Sequence, residues 1–219
     1  MKSPKCVDVI NTLPGRQRKN DDIFAHGAAG EKPFVYLYEQ QYVEVVHGPS
    51  FVAGEELFAD HCEADGVPIA ERRGGGGTVV LSPGTLVIIV VGERRDGGRD
   101  WAHGVFHRVN GAIIAALRRA GIGDAVEAGI SDIAVGGRKV LGSSLYMGAR
   151  PPLFYYQSSL MVSNDLGLMD RYLRHPPKEP EYREGRAHGE FCTTLLECGL
   201  TVGMEELVGL MEAGLKREL

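Results

Sequence analysis

The chain has 219 residues, 43% of them hydrophobic, which is material for one domain with its own buried core. With 24 Lys and Arg against 29 Asp and Glu, the formal charge is −5, and this excludes a general nucleic-acid binder, which needs a basic excess. Local pairs such as Arg72-Arg73 and Arg183/Arg186 still leave room for small anions.

Met1–Lys5 leads into an alternating segment without the apolar stretch of a signal peptide, and Cys6–Leu13 reads as a first strand ended by Pro14. Polar Gly15–His26 suits a short helix. Phe34–Tyr38 and Tyr42–His47 are rich in aromatic and β-branched residues and read as strands joined by a turn at Glu39-Gln40-Gln41. Gly54–Ala64 is expected to be helical, with Leu57 and Cys62 inward, and Val67–Arg72 is strand-like. Thr78–Leu81 and Thr85–Val91 flank the turn signal Ser82-Pro83-Gly84. The run Thr85–Val91 is also the longest apolar one, too short to span a bilayer, so a cytoplasmic protein is expected.

Asp100–Arg119 is the clearest helix, because Phe106, Val109, Ile113 and Leu117 recur on one face and Trp101 can anchor its start. Strands are expected over Ala125–Val135, Lys139–Tyr146 and Leu153–Val162, the first two joined by a tight turn at Gly136-Gly137. A helix over Asp165–Arg174 stops at Pro176-Pro177, and Pro176–His188 reads as an exposed loop. Thr201 is placed to cap a last helix carrying Met204, Leu207, Met211 and Leu215. The mixed order predicts an α+β fold, a mixed or antiparallel β-sheet with helices packed on it, as one domain over residues 1–219.

The four cysteines, Cys6, Cys62, Cys192 and Cys198, form no CxxC pair and read as reduced thiols rather than a zinc site. His103 and His107 stand four apart but lack the glutamate of a zinc-helix motif. Two other segments carry more chemistry. Arg72-Arg73-Gly74-Gly75-Gly76-Gly77-Thr78-Val79 exposes backbone N–H groups beside two forked guanidinium groups, a combination that suits a phosphate or carboxylate. It is neither a Walker loop nor a dinucleotide fingerprint, since a strand follows it. In Ser131-Asp132-Ile133…Gly137-Arg138-Lys139-Val140-Leu141-Gly142-Ser143-Ser144, a hairpin sets Lys139 just past its tip, with small residues that admit a ligand to the backbone, although a hairpin lysine beside an arginine, taken alone, reads as a solvated charge.

Together these segments resemble the lipoate–protein ligase A family, part of the group that includes biotin–protein ligases and octanoyltransferases. The family's Arg-Arg-x-x-Gly-Gly-Gly-x-Val signature is resembled by Arg72 to Val79, which is one residue shorter, and its lysine signature by Ser131 to Ser144. Tyr156-Gln157-Ser158-Ser159-Leu160 looks like the strand that usually reads His-Gly-Ser/Thr-Leu-Leu, so Gln157 stands where a histidine is usual. Leu81-Ser82-Pro83 replaces a common His-Asp pair, and Ser131 an asparagine.

The resemblance implies the catalytic-domain fold of biotin and lipoate ligases and an ATP-dependent attachment of lipoate to a lysine of an acceptor protein, through a lipoyl-adenylate. Lys139 would be catalytic. Arg72, Arg73, Gly74, Gly75, Gly76, Gly77, Thr78, Val79, Asp132, Gly142 and Ser143 would bind substrate or adenylate, with Asp132 orienting the acceptor lysine or holding Mg2+. Val79 and Leu81 would line the acyl tunnel, and Gly48-Pro49-Ser50 would shape a loop over it. The partners implied are ATP, magnesium, and an apo lipoyl domain or glycine-cleavage H-type acceptor. Larger ligases carry a C-terminal accessory domain for which these residues leave no room, so either a separate small subunit supplies that function or the reaction is restricted to part of the cycle; no nucleic acid or membrane is implied. Two alternatives remain: an octanoyl transferase working through a thioester, for which Cys192 is the cysteine nearest a histidine, and a non-catalytic lipoate- or nucleotide-binding relative.

Overall fold

The computed structural model describes residues 18–52, 54–94 and 101–219, so the expected strand Cys6–Leu13 and residue Asp100 lie outside the described residues. In chain order the elements are α1 (Arg18–Ala29), β1 (Phe34–Glu39), β2 (Glu44–His47), α2 (Ala59–Ala64), β3 (Ile69–Glu71), β4 (Val79–Leu81) and β5 (Thr85–Glu93). They continue with α3 (Trp101–Arg119), β6 (Val126–Ala128), β7 (Asp132–Val135), β8 (Arg138–Met147) and β9 (Leu153–Met161). After these come α4 (Gly167–Tyr172), a 3-10 turn (Glu181–Arg183), α5 (His188–Phe191) and α6 (Met204–Glu218).

Six strands form an antiparallel sheet in the order β1-β5-β9-β8-β7-β6, and three form a smaller sheet in the order β3-β2-β4. In the small sheet β2 runs parallel to β3 and antiparallel to β4. The strands that the two turns join do not pair with each other: β1 and β2, and likewise β4 and β5, are neighbours in sequence but belong to different sheets. The turn at Ser82-Pro83-Gly84 is real, with the Thr85 N–H donating to the Ser82 carbonyl at 3.0 Å, but it carries the chain between layers. A turn signal marks a reversal and does not say which strand lies alongside.

Strand alternation gives the large sheet two unlike faces. One carries Leu86, Ile88, Val90, Tyr156 and Leu160, all buried under α3 and α6. Val109, Ile113 and Leu117 of α3 meet Leu207, Met211 and Leu215 of α6 there, and Trp101 sits edge-on to Phe154 at 5.7 Å. The other face carries Val87, Ile89, Val91 and Tyr155, covered partly by Ile23 of α1 and partly by Val46 and Leu81 of the small sheet. The back of the small sheet, Val45 and Val80, packs on Leu57, Cys62, Tyr172 and Leu173.

Other expectations shift. Gly54–Ala64 is helical only from Ala59, and Ala125–Val135 breaks into β6 and β7 at Gly129, which has φ +55°. The last helix is preceded by Gly203 rather than capped by Thr201. Pro176–His188 is not simply an exposed loop: it contains the 3-10 turn and buries Arg183, at 4% exposure. None of the described helices is long and apolar enough to cross a membrane.

Candidate active site

Lys139 owes its position to an irregularity in β8. Asp132 pairs with Gly142 and Ile133 with Leu141, but Ala134 pairs with Lys139, so Val140 is an extra residue in the ladder. Such a bulge lets two successive side chains point the same way. Val140 and Leu141 both enter the core, and Lys139 is thereby returned to the face that carries Asp132 and Gly142. The tight turn ahead of it uses Gly136 and Gly137 at φ +56° and +75°, the primed geometry that suits a two-residue hairpin.

The Lys139 Nζ lies 2.8 Å from Asp132 Oδ1. Gly142 makes this possible, because a Cβ there would stand 2.7 Å from the Nζ. The second Asp132 oxygen accepts from the Tyr182 hydroxyl at 2.8 Å. Burial and the adjacent Asp132 raise the Tyr182 pKa well above its ordinary value, so this hydroxyl stays a donor. Ser143 lines the slot, while its hydroxyl donates to the Ser131 carbonyl at 2.6 Å and ties β8 to the β6–β7 turn.

Two cavities meet at this ion pair. A cleft of about 980 Å³ runs from Glu56 and Thr78 across Asp132 and Lys139 to Tyr182 and Cys192. A slot of about 130 Å³ shares Lys139, Asp132, Gly142 and Val79 with it and continues between the sheets to Val46 and Gln157. The cleft has the size of an ordinary small-molecule site, and the slot suits only something slender. Leu81 also lines the slot.

The glycine loop joins them. Arg72 is 7% exposed and faces inward, donating to the carbonyls of Val46 (3.2 Å), Gly75 (3.1 Å) and Gly77 (2.7 Å). Burial draws its pKa down to about 10, which still leaves it charged near neutrality. Its donors thus shape the loop as well as bordering the slot. Gly76 needs its φ of +102°, and Gly74 lies where a Cβ would stand 2.7 Å from Ser144 Oγ. Gly48 is packed as closely from the other side, its Cβ position 2.6 Å from the Gly76 carbonyl; it abuts the glycine loop. Thr78 gives its N–H (3.0 Å) and hydroxyl (2.7 Å) to Glu56, and Gly77 and Thr78 line the cleft. Gly75 is exposed, and Arg73 lies outside both cavities, its guanidinium 4.8 Å above Phe24 and 5.7 Å from the Tyr146 ring.

The far wall of the cleft comes from the segment after α4, which composition had presented only as proline and charge. Arg186 donates to the Gly137 carbonyl, Arg138 to the Cys192 carbonyl at 2.6 Å, and the Thr193 N–H to the Lys139 carbonyl at 2.9 Å. These bonds strap the wall to β8 and carry Tyr182 to Asp132. Cys192 bridges directly to Lys139 along the backbone and lines the cleft. Burial pushes its thiol pKa up against the opposing pull of Lys139 and Arg183. Tyr182, Glu56 and Val46 are site residues that motif spacing did not indicate. His107 lies outside both cavities, paired with Glu127 at 2.9 Å.

The described residues thus form a two-sheet α+β fold with a lysine on a bulged strand and a glycine loop bordering a divided cleft. The model of the lipoyl protein ligase A/B catalytic domain matches residues 20–216, and the chain belongs to that family. A protein of Aeropyrum pernix, provisionally named lipoate-protein ligase A, is 34% identical over 121 residues, 55% of this chain and 43% of that one. Lipoate-protein ligase A subunit 1 of Thermoplasma acidophilum is 27% identical over 179 residues, 76% of this chain and 66% of that one. The chain thus spans less than two thirds of either relative. The fold matches a solved structure of a bi-partite lipoate protein ligase from T. acidophilum, with a TM-score of 0.77 at 22% identity over 94% of this chain and 81% of that one.

Proposed function

We propose that the protein attaches lipoate to a lysine of a lipoyl-domain acceptor, with ATP as the activating substrate and a lipoyl-adenylate as intermediate. The observation that carries this reading is the position of the Lys139 ammonium at the junction of a slender slot and a broad cleft. The slot would take the acyl tail and the cleft the nucleotide. The acid's carboxylate and the α-phosphate must then touch although both are negative, and an ammonium between them offsets that repulsion where water is scarce. The carboxylate oxygen bonds to the α-phosphorus and pyrophosphate leaves. In the second step the acceptor amine bonds to the acyl carbon, AMP leaves, and the amine gives up a proton. Lys139 would hold the charge that develops on oxygen in both steps, and Asp132 and Tyr182 would hold Lys139.

Asp132 fits poorly as a magnesium ligand, since Lys139 and Tyr182 occupy its two oxygens at 2.8 Å each. No step here runs through a metal on that residue. The relative named subunit 1 and the bi-partite ligase support the further proposal that a separate polypeptide completes the activity.

The test is direct: purified protein, lipoate, magnesium-ATP and an apo lipoyl domain are mixed, with and without a candidate accessory chain, and the acceptor is weighed by mass spectrometry. A gain of one lipoyl group with release of pyrophosphate is expected, and its loss in Lys139→Ala. Unchanged acceptor modification by Lys139→Ala would sink the reading.

A second reading has one observation in its favour, the presence of Cys192 in the cleft wall beside Lys139. An acyl group could pass from a carrier to that thiol and on to the acceptor without ATP. The raised thiol pKa counts against it, because the thiolate is the nucleophile. Acceptor modification without nucleotide that fails in Cys192→Ala would reverse the ranking.

A further inference from the structure

The slot is lined by Val46 and Leu81 of the small sheet and Val87 of the large one, apolar groups that suit an acyl tail, but the large sheet also presents polar Ser144, Gln157 and Ser159 to it. Gln157, on the inward face of β9, is 8% exposed and lines the slot. Among the described residues its side-chain amide has no hydrogen-bond partner; its backbone pairs with Ile89 and Ser144 in the sheet, and its carbonyl also accepts from the Ser144 hydroxyl at 3.5 Å. A buried amide normally finds partners, and one left facing a cavity points to a ligand that supplies them.

Strand register locates this amide relative to the reacting end. Asp132, Gly142, Ser159 and Val87 lie in one row across β7, β8, β9 and β5. Ser144, Gln157 and Ile89 form the next row, and Tyr146, Tyr155 and Val91 the third. One step of two residues along the strand and one strand across is a diagonal of about 8 Å. The Gln157 amide therefore faces the far half of an eight-carbon acid whose carboxylate sits at Lys139. Beyond it Phe24 packs edge-on against Tyr146 (6.0 Å) and Tyr155 (5.6 Å), a block of aromatic rings.

We infer that Gln157 sets the choice of acid: it selects a tail that ends in the sulfur-bearing ring of lipoate over the plain hydrocarbon tail of octanoate. This rests on the ligase reading above. Ring sulfurs are weak acceptors and polarizable, so they can receive the amide N–H. A hydrocarbon tail would displace water from the amide and return nothing, and a site built to hydrogen-bond a substrate rejects the analogue that lacks the partner.

Calorimetric titration of the full chain with lipoate and with octanoate tests this, alongside acceptor modification with each acid. Wild-type protein is expected to bind lipoate about tenfold or more tightly than octanoate. Gln157→Leu, of similar size but apolar, should bind octanoate better and lipoate worse, bringing the ratio near one. Gln157→Asn keeps the amide but draws it back, and should fall between. Equal binding of both acids by wild type, or a ratio unmoved in both variants, would overturn the inference, and intact acceptor modification in that case would leave the ligase reading standing. Binding of neither acid would remove both. Selective binding without acceptor modification would remove the ligase reading alone.

Discussion

Gly142 is the residue on which the site geometry turns. Its missing methyl is the space in which the Lys139 ammonium lies, with the Nζ 2.7 Å and the Cε 2.8 Å from where a Cβ would be. Gly142→Ala would push the amine off Asp132 while leaving a backbone that alanine tolerates. A displacement of about 1 Å can cost on the order of 10²-fold in rate. We expect a loss of that order in kcat/KM with a melting temperature close to wild type, measured by steady-state kinetics and calorimetry. Retained activity would show that the lysine acts from another position. Lys139, Asp132 and the glycine loop were singled out through the family resemblance, whose signatures are local in sequence, and the structure brings Lys139 and Asp132 to 2.8 Å. Tyr182 was not, because its role depends on a chain reversal that lays the 3-10 turn over β7, and nothing near Tyr182 in sequence encodes Asp132. Arg72 shows a third case, a motif residue whose guanidinium is spent largely on the loop's own carbonyls.

At the scale of elements, α2 and α4 back the small sheet and are joined through one carboxylate. Asp65, just after α2, accepts from Arg171 Nη2 at 2.8 Å and from the Tyr172 hydroxyl at 2.8 Å, and also from Arg171 Nε. Hydrogen bonds from Arg171 and Tyr172 lower its pKa to about 2. A depressed carboxylate pKa gives stability that is present above the unfolded value, near 3.8, and is lost as pH falls toward 2. Asp65→Asn should therefore flatten the stability profile between about pH 4 and pH 2 relative to wild type, as read by urea melts across that window. An unchanged slope would mean the link carries no pH dependence. Element types were well marked in the sequence, β5 by its apolar run and α3 by its apolar stripe. Sheet membership was not, since β1 and β5 pair across most of the length between them while β4 and β5, three residues apart, never do. The bulge at Val140 was hidden for a related reason, because an extra residue shows only against a partner strand.

For the molecule as a whole, the two sheets matter through what they leave between them. The large sheet spends one face on α3 and α6 and shares the other with the small sheet, and the incomplete cover is the divided cleft. Slot and cleft have Lys139 and Asp132 in common, so on the proposed reading an acid in one and a nucleotide in the other are expected to be coupled. Whatever factor the acid imposes on nucleotide affinity, the nucleotide must impose on the acid. One ammonium facing two anions makes that factor sensitive to its charge, so Lys139→Ala should move the pair toward antagonism, seen as weaker calorimetric affinity for each ligand when the other is saturating. On the proposed reading the side chain would be an exchange between two binding equilibria before it is a participant in any bond, and the order in which the ligands arrive would alter the route to the ternary complex but not its free energy.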